Sequence, residues 1–280
     1  MSFAPGKIIL SGEYAVLFGF PGVAVPSSLG MEATWEEDPS LDQVAIEWTG
    51  TYGGEPWLLF TEKILLHCHT KRVKLRGRLH IHAGLPLGKG MGSSTALVIA
   101  IAQAIFGEDC RSEALLIEGI VNPGHSGFDF AVIWGDTPVR FVQGQEPEPV
   151  DLPPGLLRGG VLIDTGQPNE STPEMVEWMK GKKEAVQSAL QTIGCCSEAL
   201  ITGEDILKVL HEHHRAQTEL GVVTKEAADM IEDIEREGGA AKVIGAGGHT
   251  GGSGIVLALG THPDAIKAIA EERGMPSVEL

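Results

Sequence analysis

The sequence is poor in positive charge and in cysteine, and it has no long apolar run. Among its 280 residues, 21 Lys and Arg stand against 38 Asp and Glu, a formal net charge of −17. A chain this acidic is a poor nonspecific binder of nucleic acid or of anionic membrane, so neither is an expected partner. A polyanionic ligand would need a local positive site built from loop amides, a helix N-terminus, a few basic side chains or a metal ion. No apolar run reaches the roughly 18 residues that a spanning helix needs. The opening "MSFAPGKIIL" lacks a charged stretch followed by a long apolar one, so no signal peptide is expected. The four cysteines, Cys68, Cys110, Cys195 and Cys196, have no CxxC spacing, and the adjacent pair makes a poor zinc clamp. They read as free thiols of a cytoplasmic protein. Internal repeats and low-complexity tracts are absent as well.

What the chain does have is 42% hydrophobic residues, enough for a sizeable core. Residues 5–35 read as two extended segments around a polar turn, with Met31, Ala33 and Trp35 alternating against Glu32, Thr34 and Glu36. Segments 43–49 and 73–82 alternate similarly. Ser94–Phe106 is small and apolar enough for a buried helix. A second helix is predicted over Ser112–Ile120, with Ser112 as its cap, and "DFAVIWG" and "PVRFV" read as paired strands. The Pro- and Glu-rich stretch 143–158 is the best boundary, giving domains 1–150 and 151–280. Beyond it, a short strand at "GGVLIDTG" precedes helical periodicity over 171–192, 204–220 and 225–236. Then come a strand–glycine loop–strand at 240–260 and a last helix over 263–273. The fold class is α+β: two lobes, with mixed sheets packed against helices.

Four stretches carry candidate chemistry. In "GLPLGKGMGSSTALVIAIAQAI", Gly88, Gly90 and Gly92 alternate with larger residues, and Ser93 and Ser94 stand at a helix start. Glycines leave amide hydrogens unshielded, and a helix N-terminus adds orphan donors and partial positive charge, so the segment suits a phosphate cradle. It lacks the GK[ST] ending of a Walker A loop; its plainer reading is a Ser-capped helix after a flexible loop. In "NPGHSGFDF", Asp129 lies between two phenylalanines, where a poorly solvated carboxylate is available for proton transfer; alone, it reads more simply as a turn residue. In "PGKIILSGEYAV", Lys7 precedes an apolar strand, and Glu13 and Tyr14 follow a glycine turn. "GAGGHTGGSG", Gly245–Gly254, has six glycines in ten residues, which suggests close approach of backbone to a ligand or to another loop. The histidines of "HEHHR", His211, His213 and His214, lack a completing acid or Cys and read as a solvated helix face rather than a metal site.

The order of these motifs resembles the GHMP small-molecule kinase family over nearly the whole chain, and within it the mevalonate kinases. "PGKIILSGEYAVLFGFPGVAV", "PLGKGMGSSTA" and "KVIGAGGHTGGSGIVLAL" look like the family's three motifs. Glu118 precedes Asp129 by eleven positions with "NPGHSG" between, as in mevalonate kinases, and "LIDTGQPNEST" resembles their substrate-side segment. The resemblance implies ATP-dependent phosphorylation of the primary hydroxyl of mevalonate, with ATP and Mg²⁺. It assigns proton removal to Asp129, charge stabilisation to Lys7, and Mg²⁺ to Ser94 and Glu118. Gly88, Lys89, Gly90, Met91, Gly92, Ser93, Ser94 and Thr95 would wrap the nucleotide phosphates. Glu13, Tyr14, Ser126, Thr172, Gly247 and Gly248 would line the acceptor side. Tyr14 stands where mevalonate kinases commonly have His, Thr95 where Ala is usual, and His249 and Thr250 are extra to the third motif. The nearest alternative is a phosphomevalonate kinase; a decarboxylase relative or a non-catalytic nucleotide sensor is disfavoured by the presence of Lys7 and of the full set Lys7, Ser94, Glu118 and Asp129. The expected partner is a small-molecule alcohol, with a homodimer left open as the assembly.

Overall fold

The computed structural model describes residues 1–71, 75–182, 184–260 and 262–280, and no side chains for 70 and 71. The chain forms two compact units: residues 1–7 with 26–136, and residues 8–25 with 137–280. The sequence-based boundary at 150 falls inside the second of these. Two long strands, β1 (Ser2–Ser11) and β2 (Gly22–Glu37), pair with each other and contribute to both units.

In the first unit, the end of β2 pairs antiparallel with β4 (Gly77–Ala83), from Met31 opposite Ala83 to Glu37 opposite Gly77. β4 runs parallel to β3 (Val44–Gly50). A parallel pair needs a crossover, and helix α1 (Glu55–Lys71) supplies it. The predicted alternation appears as burial: Met31, Ala33, Leu79, Ile81 and Ala83 all face the core. Residues 73 and 74 of the expected strand 73–82 lie outside the described residues. Helix α2 (Ser93–Phe106) is apolar on all sides and buried along nearly its whole length. It can be, because α1, α3 (Arg111–Val121) and α4 (Phe128–Gly135) all pack against it.

Two expectations fail here. "DFAVIWG" is not a strand but belongs to α4. Its short apolar run fits either state, and Gly127 in the left-handed region (φ 91) starts a helix whose Phe128, Phe130, Val132 and Ile133 are buried. Ser112 is not a cap either: α3 begins one residue earlier, after Cys110, with no side-chain cap.

In the second unit, the start of β2 pairs with β5 (Val139–Phe141), which pairs with β6 (Glu148–Pro149). A separate antiparallel sheet has the order β10-β7-β9-β8, from β7 (Val161–Asp164), β8 (Ala240–Val243), β9 (Ile255–Leu259) and β10 (Ser277–Glu279). Helix α8 (Lys225–Arg236) lays Met230, Ile231 and Ile234 on this sheet, and α9 (Pro263–Glu272) adds Ile266 and Ala270. A second core gathers around α5 (Thr172–Gly181), α6 (Gln187–Ile201) and α7 (Ile206–Leu220). The continuous periodicity expected over 171–192 is broken after Gly181 into α5 and α6. Among the described residues, no helix is long and apolar enough to cross a membrane.

Candidate active site

The start of α2 presents uncapped backbone amides, the arrangement that suits an anion. Gly88, Gly90 and Gly92 all have positive φ (68, 95 and 73°). Gly92 is the N-cap, and no side chain caps the helix. The first intrahelical bond runs from the Ala96 amide to the Gly92 carbonyl, so the amides of Ser93, Ser94 and Thr95 fall in the turn that a helix leaves without internal acceptors. The alternative of a Ser-capped helix is not what forms: the Ser93 hydroxyl accepts from the Gly88 amide at 3.0 Å and ties the loop back on itself. The Met91 side chain is fully buried, so only its backbone faces the loop.

Lys7 and Asp129 meet at this loop. Lys7 is buried within β1; its ammonium donates to the Gly90 carbonyl at 2.8 Å and lies 3.3 Å from Asp129 Oδ1. The Lys7 amide also donates to the Met91 carbonyl at 2.9 Å, which fixes the strand against the loop. Asp129 sits in the first turn of α4, with its side chain 38% exposed. Gly92 is glycine for two reasons. Its φ disfavours a side chain, and a Cβ there would lie 2.9 Å from Ile133, 3.0 Å from the Lys7 stem and 3.4 Å from the Asp129 carboxylate. Ser126 accepts from the Phe128 amide at 3.2 Å and so shapes the entry to α4.

Glu118 projects from the inner face of α3 and is buried. Thr95 donates to one carboxylate oxygen at 2.7 Å and the Asn122 amide to the other at 2.9 Å. Burial holds the Glu118 carboxyl above the ordinary range; those two hydrogen bonds pull against the rise, and the nearby Asp129 charge adds to it. Glu118 is thus a buried acid with neutral donors on both oxygens, near both His125 and the Asp129 carboxylate. The Glu118 carboxylate and the half-buried Ser94 hydroxyl at the start of α2 are both hard oxygen donors, the type that Mg²⁺ takes. The Thr95 hydroxyl, expected on the nucleotide, is instead occupied by Glu118; its amide is the group left at the loop. Asn122 was missed by sequence reasoning, though its position four residues after Glu118 on one helix face could have flagged it.

The remaining expected residues belong to the second unit. Glu13 does not line an open site. It is buried, ion-paired to the Lys242 ammonium, and 3.0 Å from His213 Nε2 through its other oxygen. Burial alone would raise its carboxyl, but Lys242 and His213 pull it down to about 2. His213 is therefore core, not part of a solvated face, while His211 pairs with Glu235 at 2.7 Å. No group of three or more His, Cys, Asp or Glu disposed to hold a metal occurs among the described residues. Tyr14 is buried at a positive φ of 61° and donates its hydroxyl to the Ala246 carbonyl, holding the third glycine loop.

That loop's glycines answer to other loops. A Cβ at Gly247 would lie 2.0 Å from the Val222 carbonyl oxygen, and at Gly248 2.9 Å from the Pro168 side chain. The extra residues fasten the same contact: Glu170 accepts from the amides of His249 at 3.0 Å and Thr250 at 3.3 Å and from the Thr250 hydroxyl at 2.8 Å. Thr172 is exposed at the start of α5. Thus Lys7, 88–95, Glu118, Ser126 and Asp129 fall within the first unit, and Glu13, Tyr14, Thr172, Gly247 and Gly248 within the second.

Comparison with known proteins gives a consistent neighbourhood. Residues 60–135 match the GHMP kinases N terminal domain. The mevalonate kinase of Thermococcus gammatolerans is 25% identical, with 99% of this chain and 95% of that protein aligned. The mevalonate kinase of Archaeoglobus fulgidus is 28% identical, with 96% of each aligned. The crystal structure of Methanococcus jannaschii mevalonate kinase shares the fold, with a TM-score of 0.82 at 16% identity over 99% of this chain and 96% of that one.

Proposed function

Since the chain belongs to the GHMP kinase family, we propose that it transfers the γ-phosphoryl group of ATP to the primary hydroxyl of mevalonate. One observation carries this reading: the Lys7 ammonium and the Asp129 carboxylate, 3.3 Å apart, converge on an uncapped helix start. Phosphoryl transfer asks for positioning and charge neutralisation rather than for covalent chemistry by the protein. The amides at the start of α2 hold the phosphates, and the glycines at 88, 90 and 92 let them approach. Asp129 accepts the proton of the acceptor hydroxyl as its oxygen bonds to the γ-phosphorus and the bond to ADP's terminal oxygen breaks. Lys7 offsets the charge that gathers on the attacking oxygen and the moving phosphoryl group. Ser94 and Glu118 would hold Mg²⁺, with Thr95 and Asn122 orienting Glu118. That ion, when bound, neutralises phosphate oxygens as charge develops.

An unphosphorylated acceptor is favoured over phosphomevalonate by the state of the basic residues. Of the two arginines between 120 and 175, Arg140 is occupied by Glu198 at 2.8 Å and by Glu148 at 3.6 Å. The deciding experiment incubates the protein with ATP, Mg²⁺ and either mevalonate or 5-phosphomevalonate, and follows ADP release and the ³¹P spectrum. ADP formation with mevalonate and a new phosphomonoester signal are expected. Turnover with phosphomevalonate alone would transfer the assignment to that acceptor, and ADP release indifferent to either would remove it.

A further inference from the structure

The third glycine loop holds an anion, and the anion is the chain's own. The amides of His249 and Thr250, two in succession, donate to one oxygen of the Glu170 carboxylate at 3.0 and 3.3 Å, and the Thr250 hydroxyl donates to the other at 2.8 Å. Successive amides turned onto one oxygen make a concavity that binds phosphate as readily as carboxylate. The Asn169 side-chain amide donates to the Thr250 hydroxyl at 3.1 Å, which leaves that hydroxyl's own proton for Glu170. Burial would raise the Glu170 carboxyl, but the hydrogen bonds from Thr250 and from the two amides hold it below its ordinary range. Glycine at 248 makes the room, since a Cβ there would lie 3.1 Å from Glu170 Oε2. The concavity does not depend on Glu170 for its shape. The His249 imidazole turns away from it: Nδ1 donates to the Gly221 carbonyl at 2.6 Å, and the ring meets Trp178 at a centroid distance of 4.0 Å. The Asn169 amide donates to the Thr250 carbonyl at 3.1 Å and the Gly252 amide to the Gln167 carbonyl at 2.9 Å. Asn169 and Thr250 are exposed, so the donors open to solvent.

We propose that the His249–Thr250 turn is a further oxyanion site, of the class that takes inorganic phosphate or a phosphomonoester, and that Glu170 guards it. An external phosphate binds there by displacing the carboxylate. The competitor is effective because it is tethered: a group on the same chain acts at an effective concentration of about 1 mM or more. Its charge also repels an approaching anion, on a molecule that already carries −17. Displacement has a structural consequence. Glu170 clips the end of segment 165–170 to the loop, while Ser171, next in the chain, caps α5 together with Glu174. Phosphate in the concavity therefore releases residue 170 and leaves the cap of α5 in place. The donors include none of Lys7, Glu118 or Asp129, so the site stands or falls independently of the acceptor assigned to the kinase.

The test is a ¹⁵N–¹H NMR titration of the full chain with inorganic phosphate, with methyl phosphate as the simplest phosphomonoester, and with sodium chloride at matched ionic strength. In Glu170→Ala the His249 and Thr250 amide signals should move saturably with phosphate, with a midpoint at least about tenfold below that of wild type. Thr250→Val added to Glu170→Ala removes one donor and should raise the midpoint about 3–10-fold. Glu170→Gln keeps the bulk of the side chain without its charge, and its midpoint should fall between wild type and Glu170→Ala; it carries the test if the alanine variant fails to fold. A lower midpoint for methyl phosphate than for phosphate identifies a phosphomonoester as the ligand, and the reverse order identifies free phosphate. Amides at 249 and 250 no more responsive in either Glu170 variant than in wild type, an equal response to chloride, or a response confined to residues 88–95 would each overturn the assignment.

Discussion

Gly92→Ala separates the role of the loop's geometry from its role in stability. Gly92 has φ 73° and ψ 24°. Gly221, which ends α7, has φ 74° and ψ 31°, nearly the same backbone. Placing Ala at either position costs about 1–2 kcal/mol for a left-handed L-residue. What differs is what the new methyl meets. At Gly221 it finds one ordinary contact, with the Trp178 ring at 3.6 Å. At Gly92 it presses on Ile133 at 2.9 Å and on the Lys7 stem at 3.0 Å, and it comes within 3.4 Å of the Asp129 carboxylate. Ile133 is packed in the core, so Lys7 is the group that yields, and the ammonium shifts away from Asp129 and the Gly90 carbonyl. A misplacement of about 1 Å in a reacting constellation can cost on the order of 100-fold in rate. Both variants should therefore melt about 2–8 °C below wild type. In steady-state assays with ATP and mevalonate, kcat/KM should fall roughly 100-fold for Gly92→Ala and change by less than about threefold for Gly221→Ala. Equal turnover in the two variants would show that the approach of Lys7 and Asp129 to this loop is incidental.

Asp129→Asn should lower kcat by about 10²–10⁴-fold with ATP affinity, measured by calorimetry, largely retained; near-normal turnover would remove Asp129 as the proton acceptor. Thr95→Val deletes the hydroxyl that orients Glu118 and should raise the Mg²⁺ concentration for half-maximal rate about 10–100-fold, while Thr95→Ser keeps the wild-type requirement; identical Mg²⁺ titrations would show that the hydrogen bond has no part in cation binding. Glu13→Gln removes the carboxylate charge that balances the buried Lys242 ammonium and should destabilise the fold by about 3–5 kcal/mol in urea unfolding, most of which Lys242→Met added to it restores. The acid limb follows from the same pair. A carboxyl lowered in the folded state from 4.5 to about 2 stabilises fully above 4.5 and loses that contribution as pH falls towards 2. The wild type should thus lose more stability across that window than the Glu13→Gln/Lys242→Met variant; parallel melting curves for the two would contradict it.

The parts legible in the sequence were those governed by local rules. Period-two alternation marked β2 and β4, unbroken small apolar residues marked α2, and the glycines at 88, 90 and 92 marked a loop that needs positive φ. Elements defined by distant partners were not legible. α1 is not legible because its outward leucines blur the amphipathic pattern, and only the parallel pairing of β3 with β4 demands a crossover there. α4 reads as a strand in the sequence because a short, mostly apolar run carries no period of its own; burial against α2 decides its state. Within the candidate site, the meeting of Lys7 with Asp129 rests on residues 122 positions apart, and only the family resemblance anticipated it.

The same limit explains the opposite fates of the two glycine-rich stretches and of Glu13. Composition alone treats Gly88–Gly92 and Gly245–Gly254 alike, since both supply positive φ and bare backbone. The difference lies in what occupies the space a side chain would take. At Gly92 it is Ile133 and the Lys7–Asp129 pair; at Gly247, Gly248, Gly251 and Gly252 it is mainly the backbone and side chains of 165–170 and 222. Glu13 follows the same logic in charge. A Glu after a glycine turn near a kinase-like motif reads as a ligand contact, yet Lys242 and His213 reach it from segments more than 190 residues away. Once those partners close over it, the carboxylate is buried and held by the protein itself. The acid that remains half-exposed beside an ammonium and open amides is Asp129, and that difference in accessibility distinguishes a residue that can do chemistry from one that holds the loop in place.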